Sequence, residues 1–198
     1  MGKLDIRNRW SGDRCRDASD GFNRVMDRTW YCVGGNAVKG LDLFWEYNNW
    51  RPGQEGRSFT NHTVTRKPGG KQRDYGIWSG VIDKEGLFAM RPKLTVLGLG
   101  IPMPFRLATE WLTFPAEDTA DGLWTYCGES SLPRGTFVFI WALTPHIADE
   151  VYEAELERLK VDNGLDTAVN PLTRVPWDAS YELGSTGEDK VNEIAARS

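Results

Sequence analysis

A chain of 198 residues with a formal net charge of -4 lacks the basic stripe that a nucleic-acid-binding surface needs. Hydrophobic and aromatic shares of 40% and 12% exclude a disordered chain, and the length suits one domain with a sizeable core. No window approaches the roughly 20 apolar residues of a membrane-spanning helix.

Residues 1–21 interleave Arg7, Arg9, Arg14 and Arg16 with Asp5, Asp13, Asp17 and Asp20, the pattern of a solvated, charge-balanced leader. They contain no apolar run of the kind a secretory signal carries. The expected location is therefore the cytoplasm, or an organelle after loss of a targeting peptide. The segment 22–50 follows, with Trp30 and Tyr31 on a short apolar run, then Gly34, Gly35 and Gly40, then an alternation of acids and aromatics. In an extended chain Asp42, Phe44, Glu46, Asn48 and Trp50 share one face. Two carboxylates on one strand face either meet water or line a cavity, because unpaired carboxylates are costly to bury.

Beyond that segment the chain reads mostly as strand. Strands are expected at 29–33, 41–50, 58–66, 76–83, 87–90, 94–97, 105–114, 123–128 and 136–143, parted by Gly, Pro, Asp and Asn. The turn spacing is that of an antiparallel meander, with Lys67-Pro68-Gly69-Gly70-Lys71 as a hairpin turn. In the strand 105–114 the set containing Arg106 and Glu110 is expected outward, which turns Phe105, Thr109, Trp111 and Thr113 inward. One helix is expected over 145–163, capped by Thr144 and Pro145, with Ala148, Val151, Tyr152, Leu156 and Leu159 as its apolar stripe and Gly164 as its stop. The expected organisation is a leader (1–21), a barrel with its helix (22–170) and a polar tail (171–198).

The candidate chemistry is sparse. His62 and His146 stand apart from any cluster of ligand type, so no metal or other cofactor is expected. Asn61-His62-Thr63 forms a glycosylation sequon that matters only in a secreted chain. Of Cys15, Cys32 and Cys127, the last two fall on expected strands and could meet across a sheet; reduced thiols are the default. Asp42 and Glu46, about 13 Å apart along a strand, are too far apart to share a proton, but either could serve alone as a proton donor or acceptor against an apolar wall. Alternation nominates Phe44, Trp50, Trp78, Phe105, Trp111, Trp124 and Phe139 as cavity lining, with Tyr75 a polar candidate beside them. Plain core packing would use the same residues.

Some eight antiparallel strands followed by a helix make up an up-and-down barrel of lipocalin (calycin) type, just wide enough for one small ligand. The stretches Thr29-Trp30-Tyr31, Gly35-Asn36, Leu41-Asp42-Leu43-Phe44, the turn Lys67-Pro68-Gly69-Gly70, and 136–164 resemble the lipocalin domain of violaxanthin de-epoxidase and its relatives. That resemblance implies uptake of a long apolar isoprenoid and opening of its epoxide, with ascorbate as reductant and Asp42 as the acid.

Two functions follow as expectations. The first is a cofactor-independent enzyme that folds an isoprenoid or polyketide-like molecule in the barrel and isomerises, cyclises or opens it by proton transfer through Asp42 and Glu46. The alternative is a non-catalytic lipocalin carrier of a hydrophobic ligand or pigment. A third option is an interaction module that docks a protein through exposed Trp residues. The expected partner is a hydrophobic small molecule, with a homodimer as a further option and nucleic acid excluded.

Overall fold

The computed structural model describes residues 25, 28–36, 46–52, 58–66, 72–82, 88–96, 99–102, 108–113, 115, 119–131, 134–168 and 171–177. The described strands are β1 (Thr29–Gly35), β2 (Glu46–Pro52), β3 (Ser58–Arg66), β4 (Gln72–Ile82), β5 (Phe88–Val96), β6 (Leu99–Pro102), β7 (Ala108–Thr113), β8 (Trp124–Ser131), β9 (Arg134–Ala142) and β10 (Thr173–Arg174). They pair antiparallel in the order β10-β1-β2-β3-β4-β5-β7-β8-β9, with β6 a side hairpin on β5. A further pairing of β1 with β9, from Tyr31↔Ala142 to Gly35↔Phe139, closes the sheet into a barrel.

One helix, α1 (Asp149–Asn163), packs outside the barrel. Val33, Cys127, Val138, Ile140 and Ala142 from the strands form a single apolar core with Tyr152, Leu159 and Leu165, flanked by Val151 and Leu156. Gly164 ends the helix with φ 63°, a conformation glycine adopts without penalty, and its N–H donates to the Leu159 carbonyl.

At the other end the sequence signal misleads. The helix begins four residues later than Pro145, with Ala148 as N-cap and no side-chain cap. Thr144 caps nothing; its hydroxyl accepts from the His146 N–H at 3.3 Å within the preceding turn. Ala148 is exposed, and the buried position that alternation overlooks is a carboxylate, Glu155.

Glu155 pins the helix to the barrel. Thr125 Oγ1 donates to its Oε1 at 2.7 Å, while Arg158 donates through Nε to Oε2 (2.7 Å) and through Nη2 to Oε1 (2.6 Å). Arg158 also donates to Thr113 Oγ1 at 3.2 Å, so the helix holds β7 and β8 together through a buried ion pair whose acceptors are satisfied.

The segment read as a tail is part of the barrel. β10 pairs with β1 through Gly34↔Arg174 and Gly35↔Thr173, and Val175 N–H donates to the Val33 carbonyl at 3.0 Å. Trp177 Nε1 donates to the Cys32 carbonyl at 2.7 Å and its ring meets Tyr31 edge-on. Arg174 spans from this strand to Asp149 and the Ile147 carbonyl at the helix start, with its guanidinium over the Tyr152 ring.

Cys32 and Cys127 are not joined. They pair with Trp141 and Val138 of β9, three residues apart and therefore on opposite faces of the sheet.

Candidate functional site

The faces of the barrel follow from the helix. Val33, Gly34, Thr125, Cys127, Val138, Ile140 and Ala142 lie on the helix side, so the intervening residues of β1, β8 and β9 line the interior. These are Trp30, Trp124, Tyr126, Phe137, Phe139 and Trp141, and they touch one another as one aromatic wall. Trp30 meets Trp124 edge-on at 5.6 Å between centroids, Trp124 stacks on Trp141 at 5.9 Å, and Phe139 links Trp141 to Tyr126 and Phe137. Offset and edge-to-face pairs of this kind add about 0.5–1.5 kcal/mol each beyond the area they bury.

Burial grades along this wall. Trp30, Trp124 and Trp141 are 0–2% exposed, whereas Tyr126, Phe137 and Phe139 are 5–6% exposed. The first three stand where β1 and β8 begin and β9 ends, and there the chain is tied down by hydrogen bonds. Trp30 Nε1 donates to the Val25 carbonyl at 2.8 Å, and the turn before β8 is tied by Leu123 N–H to Thr119 Oγ1 and by Leu143 N–H to the Asp121 carbonyl. Trp141 Nε1 has no hydrogen-bond partner among the described residues.

Register carries the inner face around the barrel. Trp30 pairs with Asn48, which places Glu46, Asn48 and Trp50 of β2 on inner rows. Trp50 pairs with Asn61 and Asn61 with Trp78, so Trp78 belongs to the same face. Tyr75 falls at the irregularity between His62 and Val64, where β4 carries an extra residue. Trp124 and Phe139 are members of the aromatic wall.

β7 reverses the parity expected of it. Thr113 receives a hydrogen bond from Arg158 of the helix and pairs with Thr125, so it lies outside. Trp111 pairs with Cys127, on the helix-side row, while Glu110 pairs with Gly128 on an inner one. The helix reaches this strand at Thr113, which is why the parity expected from the charges does not hold there. Asp42, Phe44 and Phe105 lie outside the described residues. Phe137 and Trp141 are not legible as lining from the sequence because β9 is apolar on both faces, so alternation does not tell in from out. Their signal is the spacing 137, 139, 141, legible once one face is assigned to the helix.

Among the described residues no group of three or more His, Cys, Asp or Glu could hold a metal ion, and no helix is long and apolar enough to cross a membrane.

No protein-family model matches the sequence, and no curated protein does either. Solved structures do. Lobster apocrustacyanin A1 aligns over 90% of this chain and 88% of its own, with a TM-score of 0.56 and 14% identity. Apocrustacyanin C2 aligns over the same shares with a TM-score of 0.54 and 12% identity. Insecticyanin from the tobacco hornworm Manduca sexta aligns over 80% of this chain and 81% of its own, with a TM-score of 0.53 and 8% identity. These are lipocalins. At such identities the likeness is one of fold, and the chain has the lipocalin (calycin) fold: a mainly β barrel with a helix outside.

Proposed function

We propose that the protein is a carrier that holds a hydrophobic small molecule inside the barrel, against the aromatic wall of β1, β8 and β9. The observation that carries this reading is the continuous inner contact from Trp30 to Phe137, most buried at Trp30, Trp124 and Trp141 and slightly less so at Phe137 and Phe139. A flat or polyene-like apolar ligand gains dispersion and area burial against such rings. The fold neighbours, crustacyanins and insecticyanin, bind pigments or other ligands, which favours carriage over catalysis. The ring β1-β2-β3-β4-β5-β7-β8-β9 supports an eight-stranded barrel, the size that admits one small ligand.

Proton-transfer catalysis is the second reading, and one observation favours it: Glu46 shares the inner-face parity of Trp30. The likeness to violaxanthin de-epoxidase rests on the sequence stretches alone.

Native mass spectrometry of the purified protein, with an organic extract, tests the carrier reading. A co-purified apolar compound of a few hundred daltons, released unchanged, is the expected result. Chemical conversion of that compound by the protein, lost in Glu46→Gln, would move the assignment to the enzyme. A protein that carries nothing and leaves hydrophobic fluorophores unbound would remove both.

A further inference from the structure

A glycine inside a strand carries an entropic cost and marks a bulge, a sharp bend or the close approach of another group. On β1 the reasons are visible: Gly34 sits at the register shift after Cys32 and against the Tyr152 ring, and Gly35 ends the strand. Gly128 has no such reason. It is buried in the interior of β8, and its register is regular on both sides, Glu110↔Gly128 toward β7 and Gly128↔Phe137 toward β9. Among the described residues positive φ occurs at Gly122 and Gly164, so no special backbone conformation calls for a glycine at 128.

Its place on the inner face is what sets it apart. Cys127 belongs to the core under the helix, so Gly128 alternates to the interior with Trp124 and Tyr126. There β8 and β9 make a four-cornered patch, with Tyr126 opposite Phe139 and Gly128 opposite Phe137. Three corners are rings in mutual contact: Tyr126 to Phe137 at 5.1 Å, Tyr126 to Phe139 at 5.8 Å and Phe137 to Phe139 at 5.8 Å between centroids. The shortest of these contacts runs along the diagonal, where strand geometry alone would leave about 7–8 Å. Phe137 is therefore drawn toward Tyr126 and away from the glycine across from it. The neighbouring row, Trp124 opposite Trp141, is filled by two stacked indoles, so side-chain bulk on this strand pair falls toward Gly128. An aromatic wall that served only as core would gain dispersion contacts from a side chain at that corner.

Resting on the carrier reading, we propose that Gly128 is the specificity-determining position of the barrel: the corner it leaves, edged by Phe137 and Tyr126, receives a compact apolar ring of the ligand, a width that a straight chain does not need.

The test uses two isomers with the same enone, β-ionone, which is closed into a ring, and pseudoionone, which is open-chain, titrated calorimetrically against the full chain. The wild type is expected to bind the cyclic isomer at least about tenfold more tightly, the discrimination an apolar pocket draws from a methylene or two. Gly128→Ala, with its fold checked by circular dichroism, should cost β-ionone about tenfold and pseudoionone less than about threefold, since one methyl too many enters a fitted corner. Phe137→Leu leaves the glycine in place and removes the ring beside it; it should narrow the same ratio, which keeps the corner testable if the alanine variant does not fold. Phe139→Leu, on the opposite corner, should weaken both isomers alike. Equal binding of the isomers by the wild type, or an unchanged ratio in a folded Gly128→Ala or in Phe137→Leu, would overturn the assignment. If the protein binds neither isomer yet carries a co-purified apolar compound, the ring site falls and the carrier reading stands; if it also carries nothing, both fall.

Discussion

The two faces of the strands β1, β8 and β9 solve different problems with nearly the same residue types. Their outer face meets α1 through close fit and one charged pin. Gly34 lies so near Tyr152 that an added Cβ would come within 2.5 Å of its ring, and Glu155, buried, is held by Thr125 and Arg158. The inner face presents six aromatic rings that touch edge-on or stacked and carry no charge between them. The outer face fixes the fold; on the carrier reading the inner face serves a ligand, so stability and binding should separate on mutation.

The sharpest break is at the pin. Glu155→Ala leaves the Arg158 guanidinium, 13% exposed, without its carboxylate, and should cost about 3–5 kcal/mol in denaturant unfolding. Glu155→Leu with Arg158→Leu should recover most of that loss, which separates the cost of a stranded charge from the worth of the pair. Next in size, Gly34→Ala should cost about 1–3 kcal/mol through overpacking. Combined with Tyr152→Leu its effect should fall below the sum of the two single changes, since both act on one contact.

On the inner face the balance reverses. Phe139→Leu should lower stability by about 1 kcal/mol, yet weaken binding of a polyene probe about tenfold by equilibrium titration. A change that moved stability and affinity equally would erase the distinction between the faces.

The smallest effect is at Tyr152, whose buried hydroxyl has no partner among the described residues. Burial, with lesser contributions from Cys32 and Glu153, pushes its ionisation up from 10.0 to about 12. The folded chain keeps that proton where the unfolded chain gives it up. The tyrosine's share of stability is thus intact below pH 10 and lost as the pH climbs from 10 toward 12. Tyr152→Phe should leave unfolding at pH 7 within about 0.5 kcal/mol of the parent. It should also flatten the alkaline fall seen by circular dichroism between pH 10 and 12.

Much of the barrel was legible because β-branched and aromatic runs alternate with Gly and Pro turns. Gly164 stops the helix where its freedom to take positive φ predicts, while the expected turn 67–71 lies outside the described residues, between the paired strands β3 and β4. Two strands expected at 87–90 and 94–97 are one continuous β5, since Pro92 pairs within it, and β6 and β10 were not foreseen at all. The site was less legible for a physical reason. Parity gives two faces but not which of them is inside, and in this barrel that choice is made by where α1 docks. Thr113 shows the consequence: it reads as an inward partner of Trp111 until Arg158 reaches it from the helix. Glu46, Trp50 and Trp78 share the inner-face parity because Trp30, whose ring is in the aromatic wall, sets the register of β2.

The short strand β10 has a bearing on solubility. Pairing of β1 with β2 covers Thr29, Trp30 and Tyr31, and beyond that point the main chain of Val33 to Gly35 is served by Thr173, Arg174 and Val175. Without them the side of β1 turned away from β9 would lose these partners over Val33 to Gly35, leaving a short open stretch of the kind on which another strand can add. Covering that stretch is what the C-terminal strap adds to the barrel, held by Arg174 at one end and the Trp177 indole at the other.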